Sequence, residues 1–317
     1  MSGVLWAAVA GIAYGLFQAV NRGTLVDAGV LESTFMQLLV SSLVLVALVL
    51  GLHGTDLGRV PPAAVVYFGL AGLVHFLGGW TLLNRSQKAL GAARTSPLLA
   101  TVPLFGTVLA LAVLREVPSA AAVAGMLTIV AGVYVVQLDR ARRQRRPAVA
   151  GGGAAGAAAG AARGGWLASL ASSRFGLGAA VCWSLSPLFI RRGLDAMDRP
   201  MLGVTIGLLA ATLAYGAVLA VGRRAPWRGI PGRVMGWKVF AGVLVGVATW
   251  TRWYALSLNP VTVVLSLGLL SVPTVIALAP ALAGRHLEQV TRQVVLGSAL
   301  VVAGALVLVA PGVRSSL

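Results

Sequence analysis

EVPSAAAVAGMLTIVAG, from Glu116 to Gly132, and EQVTRQVVLGSALVVAG, from Glu288 to Gly304, are two versions of one helix. Each opens on Glu, carries Gly at the tenth position and ends on Ala-Gly, and the two start 172 residues apart. The correspondence extends upstream: Trp80-Thr81 recurs as Trp250-Thr251 and Pro103 as Pro273, both at a spacing of 170, so the following loop has gained two residues. An ordered series with a single step marks an internal duplication, which isolated matches in a chain this rich in Ala, Gly, Leu and Val would not.

The setting is a lipid bilayer. Of the 317 residues 58% are hydrophobic and 10% charged, with a mean hydropathy of +0.90, against about 25% charged in a soluble domain. Crossing the hydrocarbon takes roughly 17 to 25 helical residues, and ten apolar runs are long enough, near residues 3–21, 34–52, 63–84, 95–114, 119–138, 175–191, 201–221, 238–257, 261–283 and 291–310. The first run lacks a basic region before it and leads into Asn21-Arg22 instead of a small-residue cleavage site, so it reads as a span and not a signal peptide. Cys182, the single cysteine, reads as a small buried hydrophobe, with no disulfide or metal expected.

Between the fifth and sixth runs stands RARRQRRPAVAGGGAAGAAAGAARGG, Arg140 to Gly165, with five arginines in its first seven positions. A Gly/Ala stretch of this kind buries no core and is expected to be a flexible, solvated linker. The chain therefore divides into a first five-helix repeat at 1–139, a linker at 140–173 and a second five-helix repeat at 174–317. An odd number of spans per repeat forces the two repeats into opposite orientations. The expected fold is all-α and integral to the membrane, ten transmembrane helices arranged as two inverted-topology repeats of five. Charge distribution agrees: 18 of the 25 Lys and Arg fall on the linker face and 7 on the other. The positive-inside rule then puts the linker in the cytoplasm and both termini outside. The net charge of +17 is a topology signal and an attraction to anionic lipid, and no nucleic-acid partner is expected.

Ten spans in two halves, a Pro inside the fourth span of each half, a Glu after it, and a fifth span with glycines seven apart resemble the EamA-type members of the drug/metabolite transporter superfamily. The resemblance covers nearly the whole chain outside the linker. It implies an inner-membrane carrier, commonly an exporter of amino acids, related metabolites or drugs, with a cavity lined by spans one, three and four and by six, eight and nine. The family is expected to have cytoplasmic termini, opposite to the arginine count.

Glu116 and Glu288 each open a helix, where a carboxylate meets unpaired backbone N–H groups and the positive end of the dipole, so helix capping is preferred to proton or cation coupling. Gly125 with Gly132 and Gly297 with Gly304 lie on one helical face and suit close packing in lipid. Pro103 and Pro273 each free a carbonyl from the helix ladder, making either a plain kink or a hinge that shapes a cavity. The polar and aromatic residues within spans give the candidate substrate site: Tyr14, Gln18, His75, Trp80, Asn84, Trp183, Ser186, Trp250, Arg252 and Tyr254. His75 is the candidate for pH sensitivity, with protons as a candidate coupling ion, or else a neutral interhelical His. Arg252 either snorkels to the interface or grips a substrate carboxylate. Trp80 and Trp250, equivalent in the two repeats, are expected on opposite walls of one cavity.

No acid lies in the middle of spans one or six, and there is no phosphate loop, metal cluster or nucleophile set. The chain is read as a carrier of small amphipathic solutes with no cofactor, not an enzyme. A lipid-acting membrane enzyme using His75 and Arg252, or a non-transporting scaffold, are the alternatives. Substrate identity, direction and oligomeric state, a monomer included, are left open by the sequence.

Overall fold

The computed structural model describes residues 3–25, 29–53, 60–114, 120–149, 155–222, 230–259 and 261–314. Every regular element among them is helical. Seven helices are long and apolar enough to cross a membrane: Gly3–Thr24, Val30–Leu52, Pro62–Leu90, Ser173–Ala196, Pro200–Val221, Gly232–Leu258 and Val263–Leu282. Val123–Val136 and Arg292–Val307 are shorter apolar helices at the places of the fifth and tenth spans.

Two expected spans are interrupted. The fourth is Ala92–Leu99 followed by Val102–Leu114, and the ninth is Val261–Gly268 followed by Ser271–Leu282. Each proline sits just after its break, Pro103 second in the new helix and Pro273 third. There a missing N–H costs nothing, since the first turn of a helix has no acceptor to offer it. The chain tightens through both breaks with bonds to the third preceding residue, Thr101 N to Leu98 O at 3.2 Å in one and Leu269 N to Ser266 O at 3.1 Å in the other. The third span is continuous but carries a π-helical stretch over Leu73–Trp80, a form frequent at functional sites.

The stretch expected to be a flexible linker is helical on both sides of residues 150–154, in Ala120–Val149 and in Ala155–Ala196. Alanine, the strongest helix former, dominates the start of the second of these, AGAAAGAA over 155–162.

Helix packing follows an exchange pattern. The first span lies against the eighth and both pieces of the ninth, and the sixth lies against the third and both pieces of the fourth. The second packs on the eighth, the seventh on the third, and the fifth on the tenth. Close approach is bought by glycine at the contacts. A Cβ on Gly132 would stand 2.6 Å from Gly297 O and one on Gly297 2.7 Å from Gly132 O, while one on Gly304 would meet Gly125 O at 2.7 Å. All four glycines therefore form the seam between the fifth and tenth helices. The first span docks on the ninth likewise: a Cβ on Gly11 would lie 2.4 Å from Leu267 O.

Candidate functional site

A cavity of about 50 Å³ lies inside the bundle, and both helix breaks line it. Leu99, Ala100, Val102 and Pro103 come from the fourth span, Gly268, Leu269 and Ser271 from the ninth. The remaining wall is Ala7, Tyr14 and Gln18 of the first span, Trp183 of the sixth and Arg252 of the eighth, among others. Ligand pockets of metabolite size are usually several hundred Å³, so this contracted cavity must widen to admit a solute.

Local geometry holds the aromatic wall. Tyr14 Oη and Thr249 Oγ1 are 2.7 Å apart, and the Tyr14 ring lies 6.3 Å from that of Trp183. Trp183 donates from Nε1 to the His75 carbonyl at 3.2 Å and stacks on the His75 ring with centroids 5.5 Å apart. A side chain at Gly79 would strike the same indole, its Cβ 2.4 Å from Nε1. His75 Nδ1 meets Ser186 Oγ at 2.8 Å, while Nε2 is buried without a partner. His75 and Ser186 thus stand behind Trp183 and outside the cavity wall.

Arg252 lines the cavity with its guanidinium carbon 5.9 Å from the Tyr14 ring centre. It keeps accessible surface although six residues, roughly 9 Å, inside the end of its span. Trp250 and Tyr254, on the neighbouring face of the same helix, open on a separate hollow of about 510 Å³ shared with Asp198, Arg199 and Met201. Trp6 packs edge-on against both, at 5.6 and 5.3 Å. At the opposite end of the bundle a hollow of about 610 Å³ is lined by Gly23, Thr24, Arg233, Trp237 and His286.

Several expected positions differ. Trp80 is fully buried in the core, packed against Phe17 at 6.1 Å and Phe76 at 5.1 Å, so Trp80 and Trp250 do not face each other across the central cavity. Asn84 belongs to a buried amide cluster. It donates to Thr34 Oγ1 at 2.8 Å and Gln37 Oε1 at 3.1 Å, and accepts from Asn21 Nδ2 at 2.8 Å. Asn21 also donates to Gln87 at 2.8 Å and accepts from Gln37. Pro103 is buried at the cavity, whereas Pro273 is exposed on the outer side of its helix; it stands third in its helix where Pro103 stands second, and one helical residue turns a side chain by about 100°. Sequence reasoning missed a better pair. Tyr14 and Trp183 are 169 apart, the spacing that also aligns Leu16 with Leu185 and Arg22 with Arg191, and both line the central cavity.

Glu288 caps a helix other than its own. Its carboxylate accepts Ala92 N at 2.8 Å and Ala93 N at 3.0 Å, at the start of the fourth span, and binds Arg22 Nε at 2.8 Å. The third span enters the fourth through Gly91 alone, at φ +86°, and a Cβ there would lie 2.6 Å from Glu288 Oε1, so both backbone and space require glycine. Glu116 lies outside the described residues.

A helical bundle of membrane-crossing length with an internal cavity between two broken spans has the architecture of a multi-pass membrane transporter. Residues 1–138 match the EamA-like transporter family. A solved structure titled "Crystal structure of protein" is similar in fold, with a TM-score of 0.59 at 21% identity over 95% of this chain and 97% of that one. None of the curated proteins matches.

Proposed function

We propose that the protein is a secondary-active or facilitative carrier that exports small amphipathic metabolites, such as amino acids, related metabolites or drugs, by alternating access. The observation that carries this reading is the meeting of both broken spans with spans one, six and eight around one cavity, the arrangement in which discontinuous helices build a midplane site. The exchange pattern of helix contacts supports two inverted repeats, 1–139 and 174–317, rocking about the Gly125, Gly132, Gly297 and Gly304 seam. Hollows at opposite ends of the bundle supply the two approaches. With the basic loops facing inward, the 140–173 segment is cytoplasmic and the termini are outside. The family consists of transporters, which favours this reading over a lipid-acting enzyme. Solute flux in proteoliposomes, with and without a pH gradient, tests it. Saturable, protein-dependent flux is expected, and folded protein that moves none of a broad solute panel would refute it.

A further inference from the structure

Among the described residues Arg252 is the one charged residue in the wall of the central cavity. Among the described residues it has no ion pair and no hydrogen bond, and its guanidinium carbon stands 5.9 Å from the Tyr14 ring centre. A guanidinium always carries its charge, and leaving one uncompensated within a membrane span is costly. Such a charge persists where something outside the protein neutralises it. Two helix starts at this wall add to the preference for an anion. Val102 and Ser271 begin helices of 13 and 12 residues at the cavity, where backbone N–H groups and the helix dipole favour negative charge. Gln18 accepts from Gln87 at 3.4 Å and has its amide N–H₂ free of protein partners. Among the described residues no carboxylate lines the cavity, so an ammonium group would find no opposite charge, only ring faces and neutral acceptors.

We propose that Arg252 is the binding site for the carboxylate of a small organic acid anion, whose compact apolar body lies against Ala7, Ala10, Val264 and Leu265. The planar guanidinium fork matches a carboxylate with two parallel hydrogen bonds. This substrate class rests on the transport reading for its meaning, but its test does not depend on flux.

The test uses the full chain in lipid nanodiscs and three probes of one shape: 4-methylpentanoate, 4-methylpentanamide and 3-methylbutylamine. Binding is followed by calorimetry and by tryptophan fluorescence. The carboxylate should bind about ten- to a hundredfold more tightly than the amide, the range for a hydrogen bond to a charged group, and the amine most weakly. In Arg252→Leu the carboxylate should fall to the affinity of the amide while the amide and amine keep theirs; Arg252→Lys should retain most of the preference. The unliganded Arg252→Leu protein should melt no lower than the wild type, because an unpaired charge has been removed, whereas a structural Arg252 would lower the melting temperature. Should Arg252→Leu fail to fold, that result itself assigns Arg252 a structural role and overturns the proposal. Equal or better binding of the amine, no binding of any probe at millimolar concentration, or unchanged carboxylate affinity in Arg252→Leu overturns it as well. Selective binding without flux would remove the transport reading and leave the site standing; flux that prefers the amine would do the reverse.

Discussion

Replacing Glu288 with Ala should loosen one end of the bundle by an amount that can be worked from its contacts. The carboxylate is buried, with its side chain 1% exposed, and Arg22 opposite it is 12% exposed. It holds three N–H donors from two other segments, Arg22 Nε and the amides of Ala92 and Ala93. Removal leaves both amides without an acceptor in buried surroundings, since Ala92 and Ala93 are fully covered, at about 1 kcal/mol for a lost cap. It also strands the Arg22 charge, for which breaking a buried pair costs about 3–5 kcal/mol. Arg22 lies near a helix end and can turn toward water, which selects the lower end of that range. The total expected is about 3–4 kcal/mol. Glu288→Gln keeps one carbonyl acceptor and should lose about 1–2 kcal/mol. Reversible unfolding in mixed micelles, titrated with dodecyl sulfate and read by tryptophan fluorescence, measures both. A double-mutant cycle with Arg22→Ala isolates the pair and should return at least about 1 kcal/mol of coupling. Coupling near zero, or a loss below about 1 kcal/mol in Glu288→Ala, would refute the clamp.

Other outcomes follow from the same contacts. Gly132→Leu should separate the fifth and tenth helices, because even a Cβ there reaches 2.6 Å from Gly297 O, and a loss of folded yield measured by size-exclusion chromatography checks it; an unaffected yield would mean the seam is not packed this way. Trp80→Ala should destabilise the fold by about 3–5 kcal/mol as a core truncation with little change in solute affinity, while Trp183→Ala, at the cavity wall, should weaken binding by about 1–3 kcal/mol. Calorimetry combined with unfolding separates the two, and a selective binding loss in Trp80→Ala would contradict its core placement. Pro103→Ala, buried at the cavity, should alter flux more than Pro273→Ala, exposed on the outer side; equal effects in a transport assay would count against the asymmetry.

Much of the fold was legible in the sequence because membrane spans announce themselves by length and apolarity, and because Pro103 and Pro273 mark where a ladder must break. The Gly125, Gly132, Gly297 and Gly304 seam was readable for a similar reason, since small residues at regular spacing have few uses in lipid other than close contact. Side-chain direction was less legible. Trp80 and Trp250 hold equivalent positions in sequence, yet one is sealed between Phe17 and Phe76 and the other meets Trp6 and Tyr254. The π-helical turn ending at Trp80 has no counterpart within Gly232–Leu258, and such a turn changes the face on which a residue lies. The target of Glu288 was also hidden, because its partners are 266, 196 and 195 residues away along the chain. A cap supplied from another helix leaves no local signature, and only the spacing near 169 hinted that Arg22 and Tyr14 had counterparts at all.

The central claim is that a solute passes through the cavity between the two broken spans. Counterflow in sealed proteoliposomes tests it most directly, comparing wild type with Trp183→Ala and with Trp237→Ala, the latter at an end hollow. The account predicts saturable exchange in the wild type, little change in Trp237→Ala and a marked rise in the half-saturating concentration in Trp183→Ala. Exchange by folded Trp183→Ala protein that matches the wild type at every solute concentration would contradict it.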